Sequence, residues 1–238
     1  MSKWRRSLIR VFLFPALVAG MVTSWVAFAE TSPSVAQDSQ SQAHLIEYYG
    51  DSTVWGYASG SDGKRVTKPA PAVFASVLPM QFKVVNEGVN GSTACDLLNG
   101  TDGKHPPWRA QMAASKARYV IVNHAINDQW RYDVGAYKTC LWSLARIAQQ
   151  AGKQMIFETP NPTRDSGGGG LDVYVNAMRE VALLAQASLI DQYRYLIDYL
   201  QGRGYEVICP DGLHPTEEVY GLKGRYAAGV FTELMKSK

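Results

Sequence analysis

The sequence predicts an α/β fold, a parallel sheet with helices on both faces, and three observations carry that expectation. From residue 44 onward, short apolar runs of strand length alternate with longer amphipathic stretches of helix length. That alternation calls for crossover helices between parallel strands. Several of the strand-like runs end in Gly- and Asn/Asp-containing turns, which in a parallel α/β sheet mark the edge where ligands bind. The chain has 238 residues, and what remains after an N-terminal leader is the size of one domain with a sizeable core.

Taken in order, His44-Leu45-Ile46-Glu47 reads as the first half of a buried strand, closed by the turn Tyr48-Tyr49-Gly50-Asp51-Ser52-Thr53. Gly50 permits a tight turn there, and Asp51 and Thr53 are short polar residues that hydrogen-bond their own backbone. A polar loop over 58–68 precedes a helix near Pro71 to Val77, and Phe82-Lys83-Val84-Val85 forms the second strand. The stretch 86–93 then opens a helix that contains Cys95. Residues Pro107 to Lys116 read as a helix, Tyr119 to Val122 as the third strand, and Val134 to Ala151 as a helix ended by Gly152. Gln154 to Glu158 is the fourth strand, closed by Thr159-Pro160-Asn161-Pro162, and Arg164 to Gly170 is a Gly-rich loop. Because that loop lacks a Gly-Lys-Ser/Thr signature, it does not read as a phosphate cradle. An amphipathic helix over Leu171 to Gln186, a short strand over Ser188 to Asp191 and a helix over Tyr193 to Gln201 follow. Thr216 can cap the last helix, with Glu217 and Glu218 in its favourable first turn. There is no internal repeat and no second domain boundary.

Four stretches carry chemistry. Gly50-Asp51-Ser52 places a hydroxyl where a strand ends, and Asp211-Gly212-Leu213-His214 places a carboxylate three residues before an imidazole. A serine nucleophile needs that pairing: an imidazole to take its proton and an acid to orient the imidazole and hold its charged form. Between them, the stretch 86–93 brings Gly91, whose backbone can approach a ligand closely, and the stretch 123–128 brings the Asn127 amide. In this order, from Gly50 to Pro215, the constellation resembles the SGNH, or GDSL-type, hydrolases. The resemblance implies a flavodoxin-like three-layer α/β/α domain with strand order 2-1-3-4-5, with Ser52 as nucleophile and Asp211 and His214 as acid and base. It further implies an oxyanion hole made by the backbone N–H groups of Ser52 and Gly91 and the Asn127 side chain. One position departs from the family pattern: its third block usually reads Gly-x-Asn-Asp, and here Ala125 replaces the glycine, with an unusual His124 beside it. A methyl group there is expected to bear on where the loop holds Asn127.

Residues 1–29 read as a signal peptide, with Lys3, Arg5, Arg6 and Arg10 before an apolar core over Val11 to Val22 and Ala27-Phe28-Ala29 as the cleavage site. The apolar run is shorter than the roughly 20 residues of a transmembrane helix, although an uncleaved anchor remains an alternative. Residues 30–43, rich in Ser, Gln and Ala, form a flexible lead-in, and 44–238 the hydrolase domain. The chain holds 24 basic and 21 acidic side chains; without the four basic residues of the leader, 20 stand against 21. No basic stripe remains to neutralise phosphates, so a nucleic-acid partner is not expected, and oligomeric state is left open.

The three cysteines, Cys95, Cys140 and Cys209, all follow the leader. In an oxidising compartment they allow one bridge. Cys95 and Cys140 fall on helices that start at neighbouring strand ends and are expected to pair, while Cys209 suits burial as a small apolar residue. Their spacing fits no zinc site, and the chemistry requires neither metal nor cofactor.

The expected activity is hydrolysis of carboxylic esters by an exported, periplasmic or extracellular serine esterase, with a short-acyl or carbohydrate O-acetyl ester favoured. Trp55, Tyr57, Trp108, Trp130 and Tyr132 lie near the crevice in sequence, and Trp55 and Trp130 are the candidate substrate contacts. The alternatives are acyl transfer to a glycan hydroxyl, a lysophospholipase or thioesterase, and a catalytically silent glycan-binding protein on the same fold.

Overall fold

In the computed structural model of the protein, residues 44–167 and 170–236 are described. The expected signal peptide over 1–29 and lead-in over 30–43 lie outside them. Among the described residues, five strands form a parallel sheet in the order β2-β1-β3-β4-β5. These are β1 His44–Gly50, β2 Phe82–Gly88, β3 Tyr119–Asn123, β4 Gln154–Glu158 and β5 Ser188–Ile190. Successive side chains of a strand point to opposite faces, and the core divides accordingly. Tyr49, Val120, Val122, Met155 and Phe157 join one apolar cluster. Ile46, Tyr48, Ile121, Ile156 and Ile190 join the other.

Each cluster is completed by helices. The first receives α3 Ala94–Asn99, α4 Trp108–Ala114, α6 Val134–Gln150 and α7 Gly170–Leu184. The second receives α2 Ala70–Val77 and α9 Glu217–Lys236, with α8 Gln192–Leu200 packing on α9 through Leu196 and Val219. The layers are therefore α/β/α, as the alternation of elements predicts.

Helix starts are set by short acceptors. Asp133 accepts from Ala136 N at 2.8 Å to begin α6, and Thr93 and Asp96 cap α3 reciprocally. Thr216 Oγ1 accepts from Val219 N to open α9. Two one-turn helices, α1 Ser52–Trp55 and α5 Asp128–Arg131, leave no signal in the sequence, since four residues are too few to show a helical period.

The register brings three strand ends level. Gly50 lies beside Gly88 on one side and Asn123 on the other, so the turns after β1, β2 and β3 open on the same edge of the sheet. Gly50 is required there for space rather than for an unusual backbone angle. A Cβ on it would fall 2.3 Å from Val54 Cγ2 and 2.5 Å from the Asn123 carbonyl oxygen. A Cβ on Gly88 would fall 2.3 Å from Trp55 N, because α1 crosses directly over it.

Candidate active site

The serine at this edge is the first residue of α1. Asp51 caps the turn, its Oδ1 accepting from Thr53 N at 2.8 Å, and Gly56 ends it with φ +100°. Ser52 is thereby held at the C-terminal end of β1, and its Oγ lies 3.0 Å from His214 Nε2. The other ring nitrogen, Nδ1, lies 2.9 Å from Asp211 Oδ2. Hydroxyl, imidazole and carboxylate are thus in line, although 162 positions separate Ser52 from His214.

Asp211 is fixed from several sides. Its Oδ1 accepts from the backbone N–H groups of Leu213 at 2.9 Å and His214 at 2.7 Å, and its Oδ2 accepts from Gly60 N at 3.2 Å. Partial burial would raise its carboxyl, but these bonds and the imidazole outweigh that and hold it down at about 2. It therefore stays ionised well below neutral pH. Tyr57 stacks on the His214 ring, centroids 4.3 Å apart and planes 24° apart, and Tyr220 Oη donates to the Tyr57 carbonyl. Tyr57, just ahead of the 58–68 loop, thus supplies the ring that covers His214, and the loop, in sequence only a polar connection, supplies the Gly60 N–H for Asp211.

The second and third stretches are laced to the first. Val89 N and Ser92 Oγ both donate to the Gly50 carbonyl. Gly91 adopts φ +74°, with nothing within 4 Å of where its Cβ would be, so the glycine serves a left-handed turn. Asn127 Nδ2 donates to the Ser92 carbonyl at 3.0 Å. Arg131 donates to Asp96 from both terminal guanidinium nitrogens and reaches the Gly91 carbonyl at 3.3 Å.

Ala125 is buried in the first core cluster and does not adopt a left-handed conformation. An L-residue is therefore unstrained where the family usually has glycine. His124 is buried with Nε2 3.0 Å from Ser92 Oγ, and burial pushes its ring down to about 3, so it is a neutral strut at working pH.

The aromatic residues divide. Trp108 is fully buried, with Nε1 donating to the Leu144 carbonyl, so it belongs to the core and not to the crevice. Tyr132 is partly buried against the same cluster. Trp55 is half-buried under the Arg65 guanidinium, whereas Trp130 on α5 is 53% exposed. Cys95 and Cys140 are joined by a disulfide with Cα atoms 5.2 Å apart, and Cys209 is a buried thiol whose burial raises it to about 12. Among the described residues, no group of three or more acidic, His or Cys side chains is placed to hold a metal ion. No described helix is long and apolar enough to cross a membrane.

This sheet, in this order, with a catalytic-type constellation along its C-terminal edge, is the SGNH hydrolase fold, and the protein is an ester hydrolase. The chain belongs to the GDSL-like Lipase/Acylhydrolase family, which matches residues 48–222. Solved structures share the fold at low identity. A carbohydrate acetylesterase from Sinorhizobium meliloti is 16% identical, with TM-score 0.64, over 80% of this chain and 99% of its own. An acetylxylan esterase from Geobacillus stearothermophilus is 22% identical, with TM-score 0.62, over 81% and 94%. An α/β hydrolase enzyme from the metagenome of Lake Arreo is 24% identical, with TM-score 0.60, over 79% and 93%. No curated protein matches the chain.

Proposed function

We propose that the protein is an exported serine esterase that removes short acyl groups, acetyl above all, from a carbohydrate. The observation that carries this reading is the line from Ser52 Oγ through His214 to Asp211, with both steps at hydrogen-bond distance. His214 accepts the Ser52 proton as Oγ attacks the ester carbonyl, and Asp211 holds the imidazolium that forms. The oxyanion is met by the backbone N–H groups of Ser52 and Gly91 and by the Asn127 amide. One Asn127 N–H is engaged by the Ser92 carbonyl, which aims the group and leaves its second hydrogen for the substrate. His214 then protonates the departing sugar hydroxyl, and water, activated by the same imidazole, releases the acid from Ser52.

The alcohol side of the substrate is assigned to Trp130. Asp128, the first residue of α5, is buried and accepts from Ala94 N, while Arg131 reaches the Gly91 loop and Gln129 reaches Asp165. With neighbours separated by about 100° around the helix, Trp130 is left pointing outward, an exposed ring three residues past Asn127. Such a ring can stack on a pyranose. Trp55, capped by Arg65, offers a lesser surface. The names of two structural neighbours, a carbohydrate acetylesterase and an acetylxylan esterase, favour the same substrate class. Export accords with the leader and with the paired cysteines, since disulfides persist outside the cytoplasm.

The test is labelling with a fluorophosphonate followed by peptide mapping, with acetate release measured from acetylated oligosaccharides and from p-nitrophenyl acetate. The expected result is modification at Ser52 alone and release from both substrates. Modification elsewhere, or undiminished hydrolysis after complete labelling of Ser52, would overturn the assignment.

A further inference from the structure

Lys223 is a cation in a place that packing alone would give to an apolar side chain. It lies on the inner side of α9, 1% exposed, and burial lowers its ammonium while the charges of Glu158 and Asp51 raise it. Burying such a group is costly, and an apolar residue of similar volume commonly does as well or better for stability. What the ammonium provides is direction, because it carries three donors and no acceptor.

Its Nζ donates to Asn161 Oδ1 at 2.9 Å. Asn161, itself fully buried, turns its Nδ2 the other way, to the carbonyls of Leu213 at 3.2 Å and Pro162 at 3.1 Å. The two ends of an amide have nearly the same shape, so single-role partners settle which end faces which: the amine that donates faces Oδ1, and the two carbonyls, which can only accept, face Nδ2. Leu213 is the residue between the Asp211 turn and His214. The same loop is closed at its base by Thr216 N donating to the Ile208 carbonyl. Glu158 attracts the amine through space, although burial raises its own carboxyl, and it accepts from Tyr48, Asn123 and Gln192.

We propose that Lys223 and Asn161 are positioning residues: the ammonium orients the Asn161 amide, whose NH2 then holds the Leu213 carbonyl and so sets the register of Asp211 and His214 against Ser52. This rests on the reading of Ser52, His214 and Asp211 as the reacting groups.

Two variants test it, Asn161→Asp and the charge-balanced pair Lys223→Met with Glu158→Gln. The aspartate keeps an acceptor for Lys223 but sets a second acceptor against the Leu213 carbonyl. The pair removes the donor at Oδ1 and leaves the amide held from its Nδ2 end alone. Rates are taken on p-nitrophenyl acetate per active site, counted by the end-point of fluorophosphonate labelling, so that a loss of folded protein does not register as a loss of rate. The expected result for each is a kcat at least about 10-fold lower with KM within about 3-fold of wild type, because misaligning a catalytic group acts on the transition state. If Asn161→Asp does not unfold cooperatively in urea, the paired variant decides. A kcat per labelled site within two-fold of wild type in a folded variant overturns the proposal. So does failure of both variants to fold, which would make the pair a requirement of the core. If wild type is not labelled at Ser52, the site assignment falls instead, and the two failures are told apart.

Discussion

At the scale of single residues, the proposed mechanism gives Ser52 and Asn127 different shares of the chemistry. Ser52→Ala would remove the proposed nucleophile, and kcat on p-nitrophenyl acetate is expected to fall by roughly 10⁴ or more with an unchanged circular dichroism spectrum. Activity within a few-fold of wild type would remove Ser52 from the mechanism. Asn127→Ala is expected to lower kcat by roughly 10² to 10³ with little change in KM, because an oxyanion donor strengthens in the transition state. Ala125 bears on the same point. Its backbone is not left-handed and its methyl group fills core space, so Ala125→Gly should not raise kcat. A gain of several-fold in that variant would mean that the methyl displaces Asn127.

Trp130→Ala separates the two sides of the substrate. It is expected to raise KM for an acetylated oligosaccharide by about 10-fold while altering p-nitrophenyl acetate hydrolysis less than two-fold, since the small ester has no sugar to stack. Equal effects on both substrates would place Trp130 outside the binding surface.

Among the elements, the connection from α3 to α4 holds a charge cluster that no pattern in the sequence suggests. His105 is buried with Nδ1 2.6 Å from Asp102 and Nε2 3.2 Å from Glu87, which Lys104 also pairs. Burial alone would lower the imidazole, but the two carboxylates outweigh it and raise it above its ordinary 6.5. A group whose folded-state value is raised stabilises the fold fully below the unfolded value and loses that contribution as pH rises through the folded one. The stability difference between wild type and His105→Gln in urea is therefore expected to be larger at pH 6 than at pH 9. A difference that does not change with pH would show that the cluster is held by packing.

The contact of α1 with β2 is similarly direct. Gly88→Ala would push a methyl group into the Trp55 backbone, with an expected cost of about 1 to 3 kcal/mol and a drop in kcat, because α1 carries Ser52. A full-rate Gly88→Ala enzyme would mean that α1 can move without carrying the nucleophile out of line.

For the whole molecule, the disulfide and the leader are read together. Replacing both Cys95 and Cys140 by alanine is expected to cost about 2 to 4 kcal/mol in urea unfolding. Mass spectrometry of unreduced peptides should find that pair linked and Cys209 free. Exported protein should begin at Glu30 by N-terminal sequencing; a product that retains the Lys3 to Arg10 region would instead be anchored by an uncleaved leader.

The sequence by itself determined the class of fold, the order of its major elements and the identities of Ser52, Gly91, Asn127, Asp211 and His214 as the candidate site. These are legible because strand runs, helix periods and turn residues are local signals, and the four stretches retain their order along the chain. Only the tertiary structure decided what surrounds them. Of the aromatics expected near the crevice, Trp108 became core because α4 packs it against α6, and Tyr57 came to lie on His214. Gly50 looked like a turn former and proved to be a point of close approach to Val54 and Asn123. Asn161 and Lys223 carry no sequence signal at all, being 62 positions apart and unremarkable in their own windows. Their meeting depends on how α9 docks beneath the loop after β4, and the periodicity of a helix says which face is apolar but not which polar partner a buried amine will find.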